Sequence, residues 1–549
     1  MATTNASDHV EKIRSGYTFT EPSIVLGAAK VEDQVYPDAL VRLPLGMMNR
    51  HGLVAGATGT GKTITLQVLT EQLSEAGVPV FVSDVKGDLT GLSTAGTSSE
   101  KLLQRTQSVG MQWEAKNYPV EYFALGGDGN GIPVRATITS FGPILLARIL
   151  ELNETQESSL QLIFHYADKK GLELIDLKDL RAVISHLTSD EGKDELKDLG
   201  GLSKATAGVI LRELITLEAQ GMEKFFGEPE FNTAELLRQA PDGRGVISSL
   251  ELSTLLEKPL LFSTFLMWLL ADLFSELPEV GDVEKPKLVF FLDEAHLLFR
   301  GASNAFLESI MTTVRLIRSK GVGIFFVTQT PKDVPGDVLG QLANRVQHAL
   351  RAFTPDDAKA LKQTISTFPT SDYDLEEALT QAGTGEAIVT VMNESGAPTP
   401  VAWTKMWTPR SQMGASDATI VTSTVQASPL LSQYGTAVDS VSAFEKLNGA
   451  AASIPATGES AQAPNAQGQP AGSVQDEARR IEEDILGRPA SVPPAPQQAP
   501  REAPAPQAEA PKSRPKKQDN VVMDVALDVA NQLGREFLRG IFGTRRRRR

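Results

Sequence analysis

Residues 56–63 read Gly-Ala-Thr-Gly-Thr-Gly-Lys-Thr, which is Gly56, Ala57, Thr58, Gly59, Thr60, Gly61, Lys62 and Thr63. They fit the pattern G-x-x-x-x-G-K-[ST] at every fixed position. A short apolar stretch, 51–55, precedes them, and residues 62–76 carry apolar side chains at helical spacing. This strand–loop–helix context predicts a loop whose backbone N–H groups and helix N-terminus surround phosphate groups.

The side chains of this loop indicate how ATP is held. Lys62 is expected to reach the β- and γ-phosphates, and the Thr63 hydroxyl to ligate Mg²⁺. A dinucleotide-binding pattern, G-x-G-x-x-G, would have to begin at Gly59 and would need a glycine where Ile64 stands, so it is excluded. A glycine-rich turn with a chance lysine is the remaining alternative, and it leaves the flanking strand and helix unexplained.

A second acidic site follows the apolar stretch 288–292. It is Asp293-Glu294, a carboxylate pair at the end of a predicted buried strand. Asp293 is expected to hold the metal through water, and Glu294 to polarise the water that attacks the γ-phosphate. Lys62 and Asp293 lie 231 residues apart, so the intervening chain must contain an insertion or lid.

Two further polar residues are candidates for this site. Gln329 ends the predicted strand 323–328, where it can sense the γ-phosphate, or it is simply a polar strand end. Asp84 ends the second strand, 78–82, at the edge of the sheet where open α/β sheets bind ligands. Capping of the following turn is the alternative role for Asp84.

Strands and helices alternate along the chain, which predicts an α/β fold with a mainly parallel sheet. The predicted organisation is a short β-rich lead-in over 1–48, an ATPase core over 49–96 and 241–409, a helical insertion or lid over 97–240, a disordered Ala/Pro/Ser-rich linker over 410–518, and an amphipathic helix with a basic tail over 519–549. The most apolar stretch, 259–271, is short for a membrane span, so a buried core helix is expected there.

The composition limits the class of protein. The 549 residues include no cysteine, which excludes disulfides and thiolate-bound metals. No signal-peptide pattern begins the sequence, so a cytoplasmic location without a transmembrane segment is expected. The net charge is −15, yet residues 501–549 carry 12 Lys and Arg against 6 Asp and Glu. The body is therefore acidic and the tail basic.

The stretches GATGTGKT, VSDVKGDL, FFLDEAHLLF and GVGIFFVTQTPKDVP together resemble the bacterial HerA-like helicase family, in the HerA/FtsK-type branch of P-loop motors. The resemblance covers roughly 10–410. It implies a RecA-like core with an additional strand between the two motif strands, and Gln329 as the polar sensor. It also implies a homo-oligomer, a hexameric ring that moves double-stranded DNA.

A ring would place each ATP at a subunit boundary, where an arginine of the neighbour can stabilise the transition state. Arg50 is one candidate, because it starts the strand whose far end is the loop, roughly 16 Å away at about 3.3 Å per residue. Arg318, Arg345 and Arg351 are rivals. For each of them, an ordinary surface or salt-bridged arginine is the alternative.

Three functions remain open on the sequence alone. The first is a DNA-stimulated ring ATPase, a helicase or translocase. The second is an ATP-driven switch that acts on protein partners, and the third is a scaffold that binds ATP with little turnover. The basic end, 545–549, is equally open: it could contact DNA phosphates, attach to an anionic membrane surface, or follow a helix that docks on the ATPase body.

Overall fold

The computed structural model describes residues 6–127, 129–197, 200–252, 259–299 and 304–449. The strands are β1 (Ser23–Val31), β2 (Gln34–Pro44), β3 (Gly52–Ala55), β4 (Val80–Asp84), β5 (Val120–Leu125), β6 (Ile132–Val134), β7 (Ile247–Glu251), β8 (Leu288–Leu292), β9 (Val322–Thr328), β10 (Asn344–His348), β11 (Glu386–Thr390) and β12 (Ala402–Met406). The helices are α1 (Ala6–Gly16), α2 (Lys62–Glu75), α3 (Glu100–Ser108), α4 (Ile138–Ile149), α5 (Glu154–Lys170), α6 (Leu177–Thr188), α7 (Lys204–Ala219), α8 (Pro259–Glu276), α9 (His296–Phe299), α10 (Asn304–Ile317), α11 (Gly336–Leu339), α12 (Pro355–Ile365), α13 (Leu375–Gln381), α14 (Ala418–Ala427), α15 (Pro429–Tyr434) and α16 (Ala443–Leu447).

Within the described residues these strands form one sheet in the order β2-β1-β12-β11-β10-β3-β9-β8-β4-β7-β5-β6. Neighbours from β10 to β6 pair in parallel. The pairs between β10 and β2 are antiparallel. Strand β9 lies between β3 and β8, which are the strands that carry the two sequence motifs. The predicted fold class, a RecA-like α/β core with a mainly parallel sheet and an additional strand between the motif strands, is confirmed.

The central strands are buried on both faces. Every residue of β3, β4, β8 and β9 is buried, as expected for apolar runs in a parallel sheet covered by helices on both sides. Helix α8 is part of this core: Phe265 packs against Phe81 of β4, and Trp268 is buried. The predicted buried helix is therefore confirmed. Among the described residues, no helix is both long and apolar enough to cross a membrane.

The region predicted as a helical insertion, 97–240, is only partly helical. Helices α4 to α7 do form such an insertion between β6 and β7. However, β5 and β6 fall inside the predicted range and extend the main sheet beyond β7. These two strands are short and have no clean alternation of polar and apolar residues, so the helical periodicity on either side dominates the sequence pattern.

The first 48 residues contain the predicted strands. The stretches 23–26 and 40–43 lie within β1 and β2, which pair with each other and, through β1, with β12. Helix α1 was not predicted. Its buried face consists of three side chains, His9, Val10 and Ile13.

The predicted disordered linker, 410–518, includes residues that are folded. Residues 410–449 carry α14 to α16 and contact the core. The backbone N–H groups of Arg410 and Ser411 donate to the buried carboxylate of Glu71 on α2 at 2.8 and 2.9 Å. The assignment of 410–449 to a disordered linker is therefore wrong, because specific hydrogen bonds to the core offset a composition poor in large apolar groups. The rest of that linker, 450–518, and the predicted helix and basic tail, 519–549, lie outside the described residues.

A buried histidine, His51, directly precedes β3 and holds it to neighbouring elements. It has a positive φ of 59° and is only 2% exposed to solvent. Its Nδ1 accepts a hydrogen bond from the Ile324 N–H at 3.0 Å, so its Nε2 carries the proton and donates to the Val314 carbonyl at 2.7 Å. The neutral ring thus links β3 to β9 and α10.

This arrangement predicts a pH dependence of stability. Burial lowers the pKa of His51 from 6.5 to about 4. Below pH 6.5 the unfolded chain takes up a proton here while the folded chain does not, so this contribution to stability is complete above pH 6.5 and is lost as the pH falls toward 4. From His51 alone we expect a loss of about 2 kcal/mol between pH 7 and pH 5, measured by urea unfolding.

The variant His51→Asn should be less stable at pH 7 but should lose less stability over that interval. His165→Asn, at an exposed position of α5, is the matched control and should follow the parent curve. Parallel curves for the parent and His51→Asn would contradict the assignment.

Candidate functional site

The candidate site lies along one edge of the sheet. Because β10, β3, β9, β8 and β4 run parallel, their carboxyl ends meet at the same edge. The loop 56–61 follows β3, Asp293 and Glu294 follow β8, and Gln329 follows β9. The structure therefore brings the predicted phosphate loop, acidic pair and polar residue to one side of the core.

Backbone hydrogen bonds hold the phosphate loop to its neighbours. Gly56 N–H donates to the Thr328 carbonyl at 3.2 Å, which ties the loop to the end of β9. Ala57 N–H donates to the Ala349 carbonyl at 2.8 Å, just past β10. The Thr60 carbonyl accepts from Gly385 N–H at 2.9 Å. These hydrogen bonds anchor the loop to the chain segments on both sides of it.

Two glycines permit this loop geometry. Gly56 has a φ of 156° and Gly61 a φ of 114°, and the latter lies in the region that disfavours side chains. A Cβ on Gly56 would stand 2.5 Å from the Cβ of His348, and one on Gly61 would stand 3.2 Å from the backbone of Gly385. A side chain at Gly56 would therefore clash with His348, and one at Gly61 would be strained by its backbone conformation.

Lys62 begins α2 and folds over the loop. Its Nζ donates to the carbonyls of Gly56 and Ala57 at 2.7 and 3.2 Å. Burial lowers the pKa of Lys62, against the opposing effect of the nearby carboxylates of Glu294 and Asp293. The ammonium therefore contacts the phosphate loop and is within the electrostatic influence of the acidic pair.

A buried histidine, His348, is hydrogen-bonded to α2. His348 Nδ1 faces the Glu386 carbonyl at 2.8 Å and so carries the proton, which leaves Nε2 to accept from the Thr65 hydroxyl at 2.9 Å. Burial lowers the pKa of His348 to about 4, so the ring is neutral near pH 7. Sequence patterns do not reveal this role, because His348 lies 283 residues from Thr65.

Asp293 is held at the end of β8. Its backbone N–H donates to the Ser83 hydroxyl of β4 at 2.9 Å. The side chain is 6% exposed, and burial, with the neighbouring charge of Glu294, raises its pKa to about 6. A cation next to this carboxylate would remove that penalty.

Glu294 is in an ion pair that the sequence did not predict. Its carboxylate lies 2.6 Å from the Nζ of Lys86 and 3.3 Å from Nδ1 of His296. Burial raises the pKa of Glu294, but the Lys86 ammonium, together with His296 and Lys62, outweighs this effect and the net pKa is lowered. The backbone of Glu294 has a φ of 46°, an uncommon value for a residue other than glycine that is found at functional sites. Lys86 lies within the stretch VSDVKGDL, two residues after the predicted candidate Asp84.

The side chains at this edge suit Mg²⁺. The available donors are the Thr63 hydroxyl and the Asp293 carboxylate, both oxygen ligands of the kind that Mg²⁺ prefers. No cluster of three or more His, Cys, Asp or Glu side chains able to hold a metal occurs among the described residues. Mg²⁺ commonly takes few protein ligands and completes its shell with water and phosphate oxygens.

Asp84 and Gln329 differ in what they contact. Both carboxylate oxygens of Asp84 accept backbone hydrogen bonds, from Gly87 at 2.7 Å and Leu89 at 2.9 Å. These are the contacts expected of turn capping. Gln329 is exposed and lines a cleft of about 340 Å³ together with His296, so it lies on the same side as Glu294.

The four candidate arginines lie in different places. Arg50 ends the turn before β3, at the edge opposite the phosphate loop, and pairs with Asp282 at 3.2 Å. Arg318 begins the turn before β9, at that same far edge. Arg345, within β10, donates to the Thr367 carbonyl at 3.2 Å. Arg351 is exposed and follows β10 at the edge that carries the phosphate loop.

The chain matches the model of the helicase HerA-like C-terminal family over residues 30–549. It is 23% identical over 370 residues to a DNA double-strand break repair helicase HerA from Sulfurisphaera tokodaii. It is 21% identical over 369 residues to the helicase of the same name from Saccharolobus solfataricus. Each alignment covers 66% of this chain and 66% of the relative, so the chain spans just under two thirds of the relatives' length.

Among solved structures, the chain is similar to the bacterial conjugative coupling protein TrwB. The TM-score is 0.46 at 16% identity, over 74% of this chain and 95% of that chain. TrwB in complex with ADP and Mg²⁺ gives 0.45 at 16% identity, over 73% and 99%. VirB4 of Thermoanaerobacter pseudethanolicus gives 0.42 at 12% identity, over 71% and 98%. The fold itself is defined by the strand order described above.

The pair of Lys86 and Glu294 predicts an energetic coupling. Removing the lysine leaves the buried carboxylate of Glu294 without its cation, whereas removing both charges leaves no such carboxylate. In a double-mutant cycle of Lys86→Met and Glu294→Gln we expect a coupling of about 1 kcal/mol, reduced from that of a fully buried pair because Lys86 is half exposed. Urea unfolding measures it. The exposed pair Lys193 and Asp190 is the control cycle and should show no measurable coupling, and an equal result for both cycles would refute the prediction.

Proposed function

The chain belongs to the helicase HerA-like C-terminal family, as the sequence resemblance predicted, and from this membership we propose that it is a Mg²⁺-dependent ATPase that works as a ring on double-stranded DNA in the cytoplasm. One observation carries the proposal. Lys62 and the adjacent pair Asp293 and Glu294 come from two separate parts of the chain and lie at one edge of the sheet, with Lys62 close enough for both carboxylates to affect its pKa.

In the proposed reaction, the backbone of the loop 56–61 and the Lys62 ammonium bind the β- and γ-phosphates of ATP. On binding, Lys62 would exchange the carbonyls of Gly56 and Ala57 for phosphate oxygens. Thr63 and Asp293 would hold Mg²⁺, which neutralises charge on the phosphates. Binding of the phosphates is therefore assigned to the loop 56–61 and Lys62, and binding of the metal to Thr63 and Asp293.

Glu294 orients the attacking water and accepts its proton. The oxygen of water bonds to the γ-phosphorus as the bond to the bridging oxygen breaks, which gives ADP and phosphate. Lys86 keeps the Glu294 carboxylate ionised and directed, and Gln329 contacts the γ-phosphate or the water from the end of β9. Asp84 shapes the turn that presents Lys86.

Assembly into a ring, a hexamer by the family resemblance, would place an arginine of one subunit at the ATP of the next. Arg50 and Arg318 lie at the edge of the sheet opposite their own phosphate loop, which favours a role at a neighbour's site. Arg345 is engaged with Thr367 inside its own subunit. Arg351 lies beside its own phosphate loop, so it is the weaker candidate for action in trans.

The proposal that ATP hydrolysis is used for work on DNA rests on the family and on the basic tail. The relatives are named as DNA double-strand break repair helicases, and 545–549 is a run of arginines suited to phosphate contacts. A second function, an ATP-driven switch that acts on protein partners, is favoured by the acidic remainder of the chain, since the net charge is −15 despite that tail.

Substitution of the two charged residues separates binding from chemistry. Lys62→Ala should abolish ATP binding, because it removes the cation that the phosphates contact. Glu294→Gln should retain ATP binding and lower kcat by about a hundredfold or more, the contribution of a general base. A phosphate-release assay with calorimetric titration of ATP measures both. Glu284→Gln, at an exposed position before β8, is the control and should behave as the parent. Full turnover by Glu294→Gln would exclude Glu294 as the general base, whereas a parent chain that binds ATP with little turnover would support the scaffold alternative.

Double-stranded DNA should stimulate phosphate release severalfold, with an effect that weakens as salt rises because phosphate contacts release counterions. Light scattering with and without ATP should show an oligomer under the same conditions. Glu294→Gln with DNA is the control for contaminating ATPases. The absence of stimulation at every salt concentration, or a strict monomer, would exclude the translocase and leave the switch on protein partners.

A further inference from the structure

An aromatic side chain stands in solvent just after β10. Phe353 is 86% exposed, the largest exposed fraction of any large apolar side chain in the described part of the chain. It lies near the edge of the sheet that carries the phosphate loop, because β10 runs parallel to β3. A single exposed apolar group needs no special explanation, so the surroundings of Phe353 decide its role.

The backbone on both sides of Phe353 is anchored. Before it, Leu350 N–H donates to the Leu379 carbonyl at 2.9 Å. After it, the Thr354 hydroxyl accepts from Asp357 N–H at 3.2 Å, and Thr354 N–H donates to the Asp357 carboxylate at 3.0 Å, which caps α12. Only three residues lie between these anchors, so the chain presents the ring on a short, fixed segment.

This segment is attached to the phosphate loop. Ala57 N–H donates to the Ala349 carbonyl at 2.8 Å, and Phe353 follows Ala349 by four residues. Whatever contacts Phe353 is therefore close in the chain to the loop proposed to bind ATP. That placement suits a partner on which ATP hydrolysis does work.

Positive charge lies beside the ring. One exposed face of α12 lines a groove of about 550 Å³, and we call it the basic stripe. Its described residues, none of them acidic, are Pro355, Ala358, Lys359, Lys362, Gln363 and Ser366. Arg351 is exposed two residues before Phe353. Within the described residues, neither Arg351 nor the two lysines of the stripe are in an ion pair, so all three charges are available to an anion.

Two acidic residues begin α12, and they leave this charge largely uncompensated. Asp357 is engaged in the helix cap, where the hydrogen bonds of Thr354, and to a smaller extent the charge of Lys332, lower its pKa. Asp356 is exposed and is not part of the basic stripe. The chain as a whole has a net charge of −15, so this concentration of unpaired cations runs against its general character.

A partner that suits both features is anionic and has flat apolar faces. The unpaired bases of a single nucleic-acid strand stack on aromatic side chains, and its phosphates bind lysine and arginine. In a duplex the base faces are stacked on one another, so a phenyl ring has no face to cover. A second copy of this chain is less suitable, because it is itself acidic and offers the ring no base.

We propose that Phe353 and the basic stripe of α12 form a contact site for single-stranded DNA. An unpaired base stacks on Phe353, and the neighbouring phosphates lie along Lys359 and Lys362. The inference rests on the part of the proposed function that concerns DNA. It also goes beyond that function, since movement along a duplex needs no contact with an unpaired base.

The test compares a single strand with a duplex. Fluorescence anisotropy measures binding of the full chain to a labelled single strand of about 20 nucleotides, longer than a typical single-strand site, and to a blunt duplex of equal length. Phe353→Ala should weaken the single strand by about tenfold through loss of stacking, and should leave the duplex within about twofold of the parent. Phe353→Trp should keep the single-strand affinity, whereas Phe353→Leu should lose it like Phe353→Ala, because leucine is apolar but has no flat face.

The basic stripe has its own signature in salt dependence. Each phosphate contact with a single strand contributes about 0.7 to the slope of log Kd against log salt concentration. The double variant Lys359→Ala with Lys362→Ala should therefore lower that slope by about 1.4. Phe353→Ala should leave the slope unchanged, because stacking releases no counterions.

Matched controls lie elsewhere on the surface. Phe444→Ala removes another exposed aromatic ring, 41% exposed on α16. Lys193→Ala with Lys197→Ala removes two exposed lysines of the insertion, which pair with Asp190 and Asp194. Both controls should bind the single strand as the parent does. Urea unfolding of Phe353→Ala should match the parent, because the ring is exposed.

Four results would overturn the assignment. The first is an unchanged single-strand affinity in Phe353→Ala, and the second is an equal loss for single strand and duplex. The third is full affinity in Phe353→Leu, which would indicate an apolar contact without stacking. The fourth is an oligomer that dissociates in Phe353→Ala by light scattering, which would make a second copy of the chain the partner of the ring.

Failure of the proposed function gives a different pattern. If the parent chain binds neither DNA at any salt concentration, the DNA part of that function fails and this inference fails with it. If the parent binds the duplex and Phe353→Ala binds the single strand as the parent does, the proposed function stands and only this inference fails. Because the assay measures DNA binding, its outcome does not depend on ATP hydrolysis.

Discussion

The parallel register of β3 with β9 and β10 is the constraint on which the candidate site depends. Ala55, the last residue of β3, lies opposite Thr328 on one side and Gln347 on the other. Gly52 helps to fix this register, since a Cβ there would stand 2.2 Å from the ring of Phe325. The loop after Ala55 therefore starts between two fixed carbonyls, and its first N–H groups bond to both neighbours. A shift by one residue would remove these bonds and turn every side chain of β3 to the other face.

The same edge gathers carboxylates, and the structure stabilises each of them differently. Asp84 is buried, with a pKa raised to about 6 by burial, and two backbone N–H groups satisfy its oxygens. Glu294 is stabilised by the Lys86 ammonium. Asp293 is in no ion pair among the described residues, and burial and the charge of Glu294 raise its pKa more than the charge of Lys86 lowers it. Of the three, Asp293 therefore gains most from a bound cation, which supports its assignment to the metal.

The sequence predicted the parts of the site that are local in the chain. The phosphate loop, the pair Asp293 and Glu294, and the strands that carry them are contiguous patterns with a known physical purpose. Lys86 and His348 were missed because their roles exist only after strands distant in sequence become neighbours. Lys86 contacts a residue 208 positions away and His348 one 283 positions away. Periodicity and local motifs contain no information about such pairs, although Lys86 lay inside a stretch already singled out.

The segment 410–449 shows why composition alone misjudged the boundary of the fold. Its ordering depends on two buried carboxylates located far upstream. Glu71 of α2 accepts hydrogen bonds from the backbone of Arg410 and Ser411, and Asp179 of α6 accepts one from Phe444 N–H at 2.9 Å. A carboxylate buried without donors is costly, so each site favours a chain that supplies them. Because Glu71 lies on the helix that begins with Lys62, and Asp179 lies in the helical insertion, this segment also connects the phosphate-binding helix to the insertion by specific bonds at both ends.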